Sequence, residues 1–115
     1  MSDITIFHNP RCSKSRQALA LLEEAGVTPT IRLYLEDVPT KAEIKDVLAK
    51  LGCDCQAVLR RQEEAYKAHF KDVDDEQALI TLLTDHPKVL ERPIIIKGDR
   101  AVIGRPPEAV HALLR

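Results

Sequence analysis

Ile4-Thr5-Ile6-Phe7-His8-Asn9-Pro10-Arg11-Cys12-Ser13-Lys14-Ser15-Arg16 is the stretch that decides the fold. Ile4 to Phe7 is a short β-branched and aromatic run, the composition of a buried strand. Asn9-Pro10 breaks it, since proline lacks a backbone donor and asparagine supports a turn. Beyond Ser13, Ala18, Leu19, Leu22 and Ala25 fall at helical spacing until Gly26 stops them. Strand, tight turn and helix thus follow in close succession, and Cys12 stands at the handover.

Further along, Ile31, Leu33 and Leu35 alternate with Arg32, Tyr34 and Glu36, which predicts a half-buried second strand with its aliphatic side chains inward. Thr40-Lys41-Ala42-Glu43 has the form of a capping box, because each of Thr40 and Glu43 can satisfy the other's free N–H. The helix it opens carries Ile44, Val47, Leu48 and Leu51 and closes at Gly52. Two more helices are expected, over about 55–62 and about 76–85. The second has Asp74 and Asp75 as candidate caps, buries Leu79, Leu82 and Leu83, and ends by Pro87. Ile94-Ile95-Ile96 and Ala101-Val102-Ile103 flank Lys97-Gly98-Asp99-Arg100, the pattern of a hairpin with a short loop. Pro106 and Pro107 suit the first turn of a last helix burying Val110, Leu113 and Leu114. The order β-α-β, helices, β-β-α predicts an α/β fold with one mixed four-stranded sheet and helices on its faces. Residues 1–115 then form a single domain, with a helical insertion over about 40–87.

A chain of 115 residues, 44% hydrophobic, can bury a core without disulfide staples. With no Trp and only 3% aromatics it lacks a base-stacking platform, and a net charge of −1 invites neither nucleic acid nor an anionic membrane. No apolar run is long enough to span a bilayer, and the first residues lack the pattern of a signal peptide. Three cysteines without an export signal point to a reducing, cytoplasmic setting. Residues 8–16, by contrast, hold Arg11, Lys14, Arg16 and His8 and no acid. A local basic site of this kind calls for a small anionic partner.

Cys12 is the chemistry-bearing residue. A helix start offers free N–H groups and the positive end of the macrodipole, and a thiol there is lowered from ~8.5 to between ~3.5 and ~7.5. Arg11, Lys14 and Arg16 add positive charge. His8 can reach across the turn to stabilise or deprotonate the thiol, and Ser13 and Ser15 can hydrogen-bond it. A tyrosine-phosphatase loop would need arginine where this chain has Ala18, and a thioredoxin-type pair would need cysteine where it has Ser15. A one-thiol centre must take its electrons from outside.

The run His8-Asn9-Pro10-Arg11-Cys12-Ser13-Lys14-Ser15-Arg16 resembles the H-N-P-x-C-x-x-S-R signature of the glutaredoxin-dependent arsenate reductase (ArsC) family. The resemblance continues at Leu59-Arg60, at Glu91-Arg92-Pro93-Ile94-Ile95 and at Gly104-Arg105-Pro106-Pro107-Glu108, so it runs essentially end to end. It implies a thioredoxin-like sheet with a helical insertion. It also implies reduction of arsenate, with Cys12 as nucleophile, glutathione as co-substrate, glutaredoxin as the regenerating partner and no tightly bound cofactor. By the same resemblance His8 depresses the thiol pKa, Ser15 supports the thiolate, and Arg60, Arg92 and Arg105 bind the oxyanion. Pro93 matches the family's cis-proline beside the nucleophile, and Arg16 belongs to the signature.

The arginines also make sense as chemistry, because a tetrahedral oxyanion wants forked, permanently charged donors. Arg92 and Arg105 each precede a proline and flank the hairpin at its two ends. Cys53 and Cys55, as C-D-C with no histidine near, are too few ligands for zinc; they could serve as a resolving pair or an intermolecular disulfide, but such thiols are more often buried or idle, and that reading is favoured. His69, His86 and His111 read as isolated, and the acidic pairs as solvated caps, so no metal site is expected. Two other functions share these features. A general glutathione-dependent thiol reductase would use Cys12 and the C-x-x-S spacing without an oxyanion cage. An Spx-like regulator that binds RNA polymerase would share the fold, but such regulators carry C-x-x-C where this chain has Ser15.

Overall fold

The computed structural model describes residues 3–114. They divide into two compact units, one of residues up to 37 and from 92 onward, and one of residues 38–91. The first unit is built on the expected order: β1 (Ile4–Phe7), α1 (Ser13–Glu24), β2 (Thr30–Arg32), β3 (Ile94–Lys97) and β4 (Arg100–Ile103). The sheet order is β2-β1-β3-β4, with β1 and β2 parallel and the other two pairs antiparallel. The chain returns from β1 to β2 through α1, the crossover that a parallel pair needs.

Ile4 and Ile6 of β1 and Ile95 of β3 share one sheet face. Ala18 and Leu22 of α1 pack there, as do Val110 and Leu113 of a closing 3-10 helix over Pro107–Leu113. The last helix is therefore 3-10 and not α; Pro106 is its N-cap and Pro107 its first residue, positions where a missing N–H costs either kind of helix nothing. Its apolar residues Val110 and Leu113, three apart, still face the core at the three-residue period.

Gly98 at φ +60° and Asp99 close the hairpin in two residues, and a positive φ at the first of them only is the type II′ arrangement. That turn sets the register Lys97↔Arg100 through Ile94↔Ile103. Beyond β4, a Cβ on Gly104 would stand 2.8 Å from Pro93 Cγ and 3.1 Å from Ile95 Cδ1, so only glycine lets this segment lie against the Pro93 corner. The Arg92–Pro93 bond is cis, as the family pattern implied, and Arg105–Pro106 is cis as well.

The second strand departs from its alternation. β2 has only three residues; Ile31 is 48% exposed and Tyr34 is 1% exposed, the reverse of the expected phase. After Arg32 the chain turns, with Glu36 and Asp37 N–H both donating to Leu33 O. Arg32 locks the turn by donating to Asp37 O and pairing with its carboxylate at 2.9 Å. Tyr34 thereby swings in to stack on Phe7, and Ile31 stays out on an edge strand.

The second unit contains α2 (Lys41–Leu51) and α3 (Glu76–Asp85). The Thr40–Glu43 capping box is formed in both directions, and Asp75 caps α3 by accepting from Ala78 N–H at 2.9 Å. The helix expected over about 55–62 shortens to one 3-10 turn, Cys55–Val58, and a π-helical turn follows at Tyr66–Phe70. His69 and His86 are not isolated, since their rings stack 4.3 Å apart. No helix among the described residues is long and apolar enough to cross a membrane.

Candidate active site

Cys12 is the N-cap of α1, with extended backbone at φ −96° and ψ 123°. No side chain caps this helix and no acid sits in its first turn, so its positive end is left for an anion at the Cys12 sulfur. Burial opposes ionisation of the thiol. The backbone N–H of Ser15, the Arg92 guanidinium and the N–H of Lys14 outweigh it, and the pKa falls below that of an ordinary thiol.

The turn that presents Cys12 is tied internally. Asn9 accepts at its side-chain oxygen from Arg11 N–H and at its carbonyl from Cys12 N–H, both at 3.0 Å. Arg16 Nη1 donates to Pro10 O at 2.8 Å, so Arg16 braces the turn from the first helical turns. Ser15, fully buried, accepts from Asn9 N–H at 3.0 Å, and its Oγ lies 2.7 Å from His8 Nδ1. Asn9 therefore matters beyond breaking the strand; the signal available for it was the Asx-turn habit of Asn before Pro.

His8 is buried, and burial together with the nearby Arg16 charge lowers its pKa from 6.5. At neutral pH it is therefore an uncharged ring bonded to Ser15, not a cation beside the thiol. The electrostatic work falls to the arginines. Because β3 and β4 are antiparallel with Ile94 opposite Ile103, the residues before β3 and after β4 come to the same end of the sheet. Arg105 Nε donates to Arg92 O at 2.7 Å, and Arg105 Nη2 donates to Cys12 Sγ at 3.5 Å. Cys12, His8, Ser15, Arg16, Arg92, Arg105 and Pro93 thus all belong to the first unit. Arg60 belongs to the second, where its N–H donates to Val89 O and its guanidinium meets Glu63 at 3.5 Å and Glu91 at 3.4 Å. Sequence reading missed these two carboxylates as its partners.

Neither remaining cysteine shares the surroundings of Cys12. Burial, with Glu76, Asp54 and Cys53 adding negative charge, pushes Cys55 up to about 12. Cys53 is raised for the same kind of reason, by burial, Asp54 and Glu76. Among the described residues no three or more His, Cys, Asp or Glu side chains gather as a metal cage. A cavity of about 390 Å³ borders the turn, between residues 8–11 and Leu33, Leu35 and Glu36. A larger one, about 910 Å³, lies at the opposite end of the sheet among Asp3, Gly26, Pro29 and Lys97, away from the thiol.

The thiol's acidity can be read directly. Alkylation of Cys12 should titrate with a midpoint below that of an unstructured cysteine peptide. Arg92→Ala should move the midpoint up, because it removes both a hydrogen bond and a charge that favour the thiolate. His8→Ala should move it less, since an uncharged ring has no Coulombic hold on the sulfur. A larger shift in the His8 variant would reverse this ranking.

The model of the ArsC family matches residues 7–113. An arsenate reductase of Neisseria meningitidis is 44% identical over 117 aligned positions, covering 99% of this chain and all of the relative. One from Haemophilus influenzae is 44% identical, covering 96% of this chain and 98% of its own length. The solved arsenate reductase of Vibrio cholerae superposes with a TM-score of 0.91 at 41% identity, over 95% of each chain.

Proposed function

The chain belongs to the ArsC family, and from that premise we propose that it reduces arsenate to arsenite through a single thiolate, Cys12. The observation that carries the reading is the Cys12 sulfur itself. It has a lowered pKa and sits at a helix start within reach of two arginines from the open end of one hairpin. A thiolate so placed meets a tetrahedral oxyanion whose charge the guanidinium groups offset. The family resemblance adds Arg60 as a third oxyanion ligand.

In the first step the Cys12 sulfur bonds to arsenic(V), and one arsenate oxygen leaves as water after taking up protons. Glutathione displaces a second oxygen in the same way. The glutathione and Cys12 sulfurs then join as a disulfide, and the electron pair left on arsenic makes it arsenic(III), which takes up one water and is released as arsenite. Two thiols are oxidised and one arsenic is reduced by two electrons. Glutaredoxin takes the glutathionyl group from Cys12 by thiol–disulfide exchange and restores the thiolate. Ser15 and Arg16 keep the turn in shape, and Pro93 shapes the β3 corner next to Arg92, where the family resemblance puts a cis-proline beside the nucleophile. No resident cofactor is needed, because both electrons come from thiols.

The test is arsenate reduction followed as arsenite released, with glutathione alone and with glutathione plus glutaredoxin. Turnover is expected with both donors present, and a single turnover leaving glutathionylated Cys12 when glutaredoxin is omitted. If glutathionylated peptides are reduced rapidly while arsenate is untouched, the protein is a general thiol reductase.

A further inference from the structure

We propose that the groove between residues 8–11 and the turn after β2 is where the reducing thiol docks. The occupant is a small peptide thiol bearing carboxylates and one ammonium group, as glutathione does, and the proposal rests on the thiol-dependent reading above. Three observations converge on it. The groove wall is the turn that delivers the nucleophile, since Asn9 O holds Cys12 N–H at 3.0 Å and the next residues back, His8 to Arg11, line the cavity. A thiol seated there lies against the segment that fixes the sulfur.

The sheet order gives the second. Arg92 and Arg105 reach the end of β1 from the β3–β4 side, whereas the groove opens on the β2 side. An oxyanion held by the arginines would leave the β2 side of Cys12 open to a second sulfur. The step served is formation of the S–S bond between donor and Cys12, with the As–S electron pair left on arsenic.

Third, the lining suits such a donor. The volume of about 390 Å³ is in the range of small-molecule sites. Leu33 and Leu35, both half-buried, offer an apolar floor for the peptide's methylenes. Arg11 and Glu36 are exposed at its rim, and neither side chain has an ion-pair partner among the described residues. A guanidinium and a carboxylate left unspent in one groove match a ligand with carboxylates and an ammonium.

Steady-state kinetics of Arg11→Gln and Glu36→Gln test this, with glutathione plus glutaredoxin and with excess uncharged 2-mercaptoethanol as donors. Each variant should raise the KM for glutathione by about fivefold, the size of one partly solvated ionic contact. In Glu36→Gln the KM for arsenate and the rate with 2-mercaptoethanol should stay within about twofold of the parent. S-methylglutathione, which cannot react, should shift the amide resonances of Arg11, Leu33, Leu35 and Glu36 in the parent, and the variants should need about fivefold more of it for the same shifts. Unchanged glutathione KM in both variants, or shifts confined to other residues, would overturn the groove and leave arsenate reduction standing. S-methylglutathione binding at the groove in a protein that never reduces arsenate would uphold the groove and sink the arsenate reading.

Discussion

Cys12→Ser is expected to lower kcat/KM for arsenate by more than about a thousandfold, leaving no multiple turnover. A serine hydroxyl at a helix start is still hydrogen-bonded, but it is not ionised near neutral pH and cannot enter a disulfide. Both the attack on arsenic and the two-electron step are therefore lost. The matched controls are Cys53→Ser and Cys55→Ala, which should keep activity within about threefold once folding has been checked by thermal unfolding. Cys55 is fully enclosed, with a thiol pushed up to about 12, so it offers almost no thiolate at neutral pH. Alanine is the gentler change there, because a hydroxyl in that enclosed position would need a new partner. If either control proved as damaging as Cys12→Ser, a resolving thiol would have to be added to the mechanism.

Local signals were legible in the sequence where one physical cause dominates. Thr40 with Glu43, Asp75 before Glu76, and the run from Ser13 to Gly26 each carry their own start, period or stop, and the helices form where those marks stand. Ile31, Leu33 and Leu35 misled, because alternation assumes a strand that keeps going. This strand ends after three residues in a turn locked by Arg32 and Asp37, partners that only the folded chain brings together. Arg32 also stacks over Phe7 at 5.8 Å, so it is a working residue and not the idle polar face that alternation suggests. At the site, Cys12 was legible from its place at a helix start. The neutrality of His8 was not, because it depends on burial and on the distance to Arg16, neither of which a linear motif encodes. The meeting of Arg92 and Arg105 lay between these cases. It follows from the two-residue turn at Gly98-Asp99, which fixes the register and so the pairing of the hairpin's open end.

Arg92→Lys and Arg105→Lys should each lower kcat/KM for arsenate by about tenfold or more, the loss of one charge-assisted contact worth ~1.5–3 kcal/mol. Lysine keeps the charge but not the fork. Arg105 makes the need for the fork concrete: Nε donates to Arg92 O at 2.7 Å while Nη2 reaches Cys12 Sγ at 3.5 Å, two directions that one ammonium cannot hold in the same plane. Arg60→Lys is expected to behave alike if Arg60 serves the oxyanion as the family resemblance implies. Arg100→Lys is the control; it sits at the turn end of the same hairpin, and its guanidinium donates at a long 3.4 Å to Leu113 O. Its activity should match the parent. The alkylation midpoint of Cys12 separates causes. Some upward movement is expected in both Arg92→Lys and Arg105→Lys, because each guanidinium also donates to the Cys12 sulfur. A fall in arsenate turnover that persists at a pH where Cys12 is fully thiolate in parent and variant means that binding was lost and nucleophilicity kept. If all three substitutions left arsenate turnover intact while Cys12 stayed essential, the arginines would not form an oxyanion site. Cys12 would then be a centre of general thiol exchange.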